Sequence, residues 1–240
     1  MTIQHTEKIL AQFDLNNLTE LDLADYQISE IKPLESLVNL TALYLENNQI
    51  SDIKPLSSLS NLSRLCLRDN PVSDITPLTT LTNLTWLMLV SNQISNFDSL
   101  ASLINLTELF IGNNRISDVE PPRHLTNQIG SLEALRALTK LTNLVIYDHL
   151  YGYQFTNLEP LQALTNLEWL ALSDSQVTDL TPLTTLTNLV GLSLENNQIS
   201  DIKPLASLTN LTRLYLGGNQ ISDRDINWLC KKLPKCGITI

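Results

Sequence analysis

Apolar positions recur along this chain in a frame of 22 residues. From Leu37 to Ser58 it reads LVNLTALYLENNQISDIKPLSS, and the frame opens at Leu15, Leu37, Leu59, Leu81 and Leu103, each 22 residues on (37 − 15 = 22). It resumes at Leu138, Leu164, Leu186 and Leu208, giving nine repeats. The step breaks twice: Leu103 to Leu138 is 35, or 13 extra residues, and Leu138 to Leu164 is 26, or 4 extra. In the second repeat Leu40, Leu43 and Leu45 alternate with Ala42 and Tyr44, which predicts a short strand with its leucines inward. Asn48 follows at a turn, where its amide can serve backbone groups that would otherwise be buried unpaired. Asparagine recurs there at Asn70, Asn92, Asn114, Asn197 and Asn219. Ile50, Ile53 and Leu56 fill the other side of the core. Ser51 and Asp52 suit the start of a helical or 3-10 turn, and Pro55 its first positions. One repeat cannot bury its own apolar face, so the pattern demands stacking. The predicted fold is α/β: a single curved solenoid with a parallel sheet on the concave side and short helical or 3-10 segments on the convex side.

The departures from the frame define the organisation. Residues 1–14 place Ile3, Ile9, Leu10 and Phe13 on one helical face, an N-terminal cap over the first repeat. Repeats occupy 15–222, with insertions near 125–137 and 149–153. SLEALRAL, Ser131 to Leu138, predicts a short helix at the first insertion, which reads either as a decayed repeat that lost its strand, since Leu125, Thr126 and Asn127 still resemble a repeat opening, or as an added contact surface. The second replaces the asparagine turn with a loop from Tyr147 to Tyr153 that holds three tyrosines and a histidine. Residues 223–240 read as a C-terminal cap: Ile226, Leu229, Cys230 and Leu233 share a helix face, Asp225 caps its start, and Ile238–Ile240 form a last strand.

Composition narrows the function. Twenty-five acids against 15 bases give a net charge of −10, which argues against nucleic acid or an anionic membrane as partner. No apolar run approaches the ~20 residues of a membrane span. The opening MTIQHTEKILAQFDL lacks the apolar core of a secretory leader, and three cysteines are too few for a disulfide framework. Both features point to a cytoplasmic protein.

The histidines, His5, His124 and His149, are scattered, and no Cys or His pair has zinc spacing. There is no phosphate-binding glycine loop or nucleophile elbow. No enzyme chemistry, metal or cofactor is expected. The sequons at Asn17, Asn39, Asn61, Asn83, Asn105 and Asn210 are by-products of the repeated NLT and NLS. What the repeat does not dictate is the outward side of the strands. One row reads Asp22, Tyr44, Cys66, Met88, Phe110, Val145, Ala171, Ser193, Tyr215; its neighbour reads Glu20, Ala42, Arg64, Trp86, Glu108, Asn143, Trp169, Gly191, Arg213. From Tyr44 to Ala171 the first row presents an apolar residue to solvent on six strands. An apolar stripe with a charged rim is the make-up of an interface core, and Trp, Tyr and Arg are the usual anchors. Tyr44, Arg64, Trp86, Met88, Glu108, Phe110, Tyr147 and Trp169 are the candidate partner-binding residues. The competing reading is that the rings stack across strands and stabilise the sheet.

NQISDIKPL at Asn48–Leu56 and LTNLTRLYLGGNQISD at Leu208–Asp223 resemble the 22-residue leucine-rich repeats of bacterial internalins and of phosphatase-1 regulatory subunits. The resemblance covers about Leu15 to Asp223. It implies the fold and little about function; the apolar stripe is what points to a non-enzymatic, monomeric module that binds a protein or peptide on its concave face. The resemblance also implies two alternatives: a regulatory subunit of an enzyme such as a phosphatase, or a secreted internalin-like adhesin if a leader precedes this sequence.

Overall fold

The computed structural model describes residues 3–15, 17–114, 132–147 and 156–240. The chain packs as two units, residues 1–118 and 119–240.

The first unit opens with helix α1 (Ile3–Leu10) and carries strands β1 (Glu20–Asp22), β2 (Ala42–Tyr44), β3 (Arg64–Cys66), β4 (Trp86–Met88) and β5 (Glu108–Gly112). They pair in parallel with a register of one repeat, so Glu20, Ala42, Arg64, Trp86 and Glu108 form one row across the strands. Each return run makes a 3-10 turn: Lys32–Ser36, Lys54–Ser58, Thr76–Thr80 and Asp98–Ser102. The frame leucines, such as Leu43, Leu65 and Leu87, are fully buried. The turn cap expected at Asp52 is present: its Oδ1 accepts the Lys54 N–H at 2.9 Å, and Asp74 does the same for Thr76 at 2.8 Å. Hydrogen bonds from Thr76 hold the Asp74 carboxyl below the usual carboxylate range. Asp98–Ser102 has Ser99 where its neighbours have proline and still forms, anchored by buried Leu100.

The asparagine ladder is the hinge between strand and return run. Asn48 Oδ1 accepts the Ile28 N–H from the repeat before, while its Nδ2 donates to the carbonyls of Leu23, Leu45 and Glu46. Asn70, Asn92 and Asn114 repeat the pattern on Ile50, Val72 and Ile94. The residue just before each ladder position is left-handed: Asn47, Asp69, Ser91 and Asn113 have φ of 52°, 53°, 55° and 47°. Short polar residues tolerate that region best. Tyr26 replaces the asparagine of the first repeat, and the cap serves that edge instead. Thr6 Oγ1 donates to Glu30 O at 2.6 Å, and His5 Nε2 lies 3.1 Å from Tyr26 O. The cap is shorter than the sequence suggests, and its buried face is Thr6, Ile9 and Leu10; Ile3 is exposed.

The second unit carries β6 (Asn143–Tyr147), β7 (Trp169–Ser173), β8 (Gly191–Ser193), β9 (Arg213–Tyr215) and β10 (Gly237–Thr239), parallel where paired, with helix α2 (Asp223–Lys232) between the last two. Its 3-10 turns are Leu132–Ala137, Glu159–Ala163, Thr181–Thr185 and Lys203–Ser207. Three expectations change here. Leu132–Ala137 is no added helix: it stands before Leu138 as Lys54–Ser58 stands before Leu59, with Ala134 in the proline position. The insertion's remaining residues, 125–131, and the loop at 149–153 lie outside the described residues. Ser222, not Asp225, caps α2; its Oγ accepts the Asp225 N–H at 3.2 Å and donates to Asp225 Oδ2 at 2.6 Å. Cys230 is exposed rather than core, because Ile226, Leu229 and Leu233 already define the inward stripe and Cys230 is turned a further 100° about the helix. Cys230 and Cys236 are both free thiols.

Candidate protein-binding face

In the first unit, register alone assembles the outward face. Parallel strands about 4.8 Å apart put Arg64, Trp86 and Glu108 in one row and Tyr44, Cys66, Met88 and Phe110 in the next. The structure therefore brings six predicted residues, Tyr44, Arg64, Trp86, Met88, Glu108 and Phe110, onto one surface. The Trp86 and Phe110 rings meet with centroids 5.7 Å apart and planes tilted by 49°. Arg64 lays its guanidinium over Trp86, Cζ 5.8 Å from the ring centroid. Tyr44, Trp86, Met88, Glu108 and Phe110 are half-buried and Arg64 is exposed. A cation over an indole and a tilted ring pair fix the side chains before any partner arrives.

Cys66 departs from the expectation of a solvent-facing apolar residue: it is 1% exposed. Its Sγ–H donates to Glu46 Oε2 at 3.0 Å. Burial first, then this bond to a carboxylate, pushes the thiol up to about 12. The apolar row is interrupted there, so the accessible apolar area on this strand face belongs to Tyr44 on one side and to Met88, Phe110 and Trp86 on the other.

In the second unit Tyr147 ends β6, half-buried and in register with Ser173. Trp169 lies down across the neighbouring strand. A Cβ on Gly191 would collide with Trp169 Cε3 and Cζ3, so the missing side chain makes the shelf on which the indole rests. Arg213 Cζ sits 5.6 Å from the Trp169 ring, and the Tyr215 ring centroid is 6.5 Å away. Trp169 is thus braced by Gly191, Arg213 and Tyr215, none of which is among the sequence's candidates. The available signal was a glycine at an outward strand position beside a tryptophan.

A second ladder was read only as sequons. Asn61, Asn83, Asn105 and Asn210 each donate Nδ2 to a carbonyl of the preceding repeat, at 2.9, 2.9, 2.8 and 2.8 Å. These amides tie neighbouring repeats together on the side away from the first ladder. Among the described residues no group of three His, Cys, Asp or Glu side chains could hold a metal ion, and no helix is long and apolar enough to cross a membrane.

A family model described as leucine-rich repeats in two copies matches residues 16–58, 38–80, 82–124, 165–207 and 187–231. Curated proteins yield no match. Among solved structures, an internalin (inlF) of Listeria monocytogenes is 33% identical with a TM-score of 0.74, over 98% of this chain and 73% of that one. Internalin C2 (inlC2) of the same organism is 34% identical with a TM-score of 0.70, over 85% of this chain and 83% of that one. A leucine-rich repeat protein of Leptospira interrogans is 30% identical with a TM-score of 0.57, over 93% of this chain and 67% of that one. With the register, both ladders and these matches in hand, the chain belongs to the leucine-rich repeat family and is of the internalin type.

Proposed function

We propose that this chain is a non-enzymatic module that binds a protein or peptide on the outward face of its strands, the side that the repeat pattern assigns to the concave surface. The observation that supports it is the braced cluster of Arg64, Trp86 and Phe110 beside half-buried Tyr44, Met88 and Glu108. Pre-positioned rings lose little rotamer freedom on binding, and Trp, Tyr and Arg dominate interface energetics. Stacking within the sheet also occurs, but Trp86, Phe110 and Trp169 stay only half-buried within it. In the second unit Tyr147 and the braced Trp169 are proposed as contacts of the same kind.

The test is capture of partners from the source organism with the parent protein and with a Trp86→Ala, Phe110→Ala variant of matched far-UV circular dichroism. Loss of a hot-spot residue should weaken the captured complex by roughly 30-fold, at about 2 kcal/mol per anchor, and loss of the pair by more. A partner held equally by both proteins overturns the assignment.

A second reading is supported by the identity to two Listeria internalins: a secreted, adhesin-like role for the same face. Fractionation of the source cells separates it from the cytoplasmic reading. Protein in the medium or on the cell surface supports the adhesin; protein confined to the cytosol supports an intracellular partner, including an enzyme that this chain would regulate.

A further inference from the structure

The charges of this chain are sorted along its length. After residue 202 come six bases, Lys203, Arg213, Arg224, Lys231, Lys232 and Lys235, against two acids, Asp223 and Asp225, a local excess of four in a chain of net −10. On α2, Arg224, Trp228 and Lys231 fall at i, i+4 and i+7, one stripe, with Lys232 beside it. The stripe faces away from the buried Ile226 and Leu229. The Lys232 ammonium sits 5.9 Å from the Trp228 ring centroid. Among the described residues Lys32, Arg68 and Arg136 have carboxylate partners, whereas Arg224, Lys231, Lys232 and Lys235 have none. Among the described residues no carboxylate forms an ion pair with this basic, aromatic surface.

The first repeats have the opposite character. Residues 3–36 hold seven acids, Glu7, Asp14, Glu20, Asp22, Asp25, Glu30 and Glu35, against Lys8 and Lys32. Of seven large apolar residues exposed among the described positions, three lie here, Ile3, Leu15 and Tyr26, and a fourth, Val38, two residues beyond. An open groove of about 390 Å³ runs between chain neighbours of Glu20 and Val38, lined by Asn17, Thr19, Asn39, Thr41 and Asn61. Acidic groups around exposed apolar side chains complement bases around a tryptophan.

We infer that the α2 stripe of one molecule docks on the acidic first two repeats of a second molecule, head to tail. Extended polyanions are disfavoured because the chain as a whole carries −10 and repels them. An acidic surface with exposed apolar side chains matches the stripe, and the first repeats of the chain itself carry one. Such a contact is heterologous: each complex keeps one free acidic end and one free basic end, so association grows with concentration rather than stopping at a pair. The monomer suggested by the sequence is then its dilute limit. On the acidic side Glu20 lies three strands from Trp86 in the same row, outside the Trp86–Phe110 ring pair.

Sedimentation equilibrium at about 0.05 M and about 0.5 M NaCl tests it, since such salt shortens the Debye length severalfold. The parent should associate at low salt, with affinity falling about tenfold or more at high salt. An Arg224→Glu, Lys231→Glu variant and a Glu20→Lys, Asp22→Lys variant should each stay monomeric alone and associate when mixed in equal amounts. The Trp86→Ala, Phe110→Ala variant should associate like the parent, so this result stands apart from the fate of the partner-binding face. If either charge reversal fails to fold by circular dichroism, Lys231→Gln, Lys235→Gln and Glu20→Gln, Asp22→Asn replace them, each expected to weaken association. A parent monomeric at both salts, association indifferent to salt and charge, or a mixture of folded charge-reversed variants that stays monomeric overturns the inference. So does tighter binding of the parent to phosphatidylserine vesicles than to itself, which would assign the stripe to a lipid surface.

Discussion

At Asn70 a single amide satisfies four backbone groups. Its Oδ1 accepts the Ile50 N–H at 3.0 Å, and its Nδ2 donates to the carbonyls of Leu45, Leu67 and Arg68 at 2.8, 3.3 and 3.1 Å. The site is 4% exposed, so water cannot take over. Asn70→Ala should cost about 3 kcal/mol, because each orphaned buried group costs about 1–3. Asn61 makes one exposed bond to Val38 O, and Asn61→Ala should cost about 1 kcal/mol or less. Urea unfolding of the two variants checks the ordering; equal losses would mean that the two ladders are equivalent. Cys66 sets a second expectation at this scale. Its folded-state value, about 12, lies above the ordinary thiol value of 9.0. The thiol form is therefore favoured in the folded state. Its contribution is fully present below the unfolded value and is lost as pH rises from about 9 through about 12. At pH 8 a thiol reagent should label Cys230 and Cys236 in the native protein and reach Cys66 only on unfolding. Prompt labelling of all three would contradict the burial of Cys66.

Among the elements, the β7–β8 pair shows why sequence reading stops where it does. The 22-residue frame made the strands, the 3-10 turns and the asparagine ladder legible, because each depends on residue type at fixed spacing. The placement of outward side chains depends instead on which neighbours two adjacent strands happen to offer. Trp169 could have stood upright; it lies flat because Gly191 leaves room and Arg213 covers it. Cys66 could have faced solvent; it is sealed by the Glu46 carboxylate. Cys230 misled because helical periodicity admits it to the inward stripe as well as Leu233 does, and only the packed cap decides between them. Gly191→Ala tests the shelf. The new methyl must displace the indole, at a cost of about 1–3 kcal/mol for overpacking, with a shift in tryptophan emission. In a Trp169→Ala background the same change should cost clearly less, since nothing remains to displace. A full cost in both backgrounds would place the strain in the backbone of β8 instead.

On the scale of a whole unit, stability in a stacked array is close to a sum over neighbouring repeats, so the position of a lesion matters as much as its chemistry. Within the first unit Leu87 is fully buried on β4, which has a paired strand on each side, β3 and β5. Leu21 is just as buried on β1, which pairs β2 and otherwise has the cap to rely on. Leu87→Ala removes apolar contact from two interfaces and should cost about 2–5 kcal/mol against global unfolding. Leu21→Ala can be accommodated by local opening of α1 and the first repeat, leaving the repeats beyond them folded. Native-state hydrogen exchange separates the two outcomes. With Leu21→Ala, the amides of β1 and of the Lys32–Ser36 turn should lose protection while those of β3 and β4 keep theirs; with Leu87→Ala, protection should fall throughout the first unit. If Leu21→Ala lowered protection in β4 as much as in β1, the repeats of this unit would unfold as one block, and the cap would be part of the core rather than its cover.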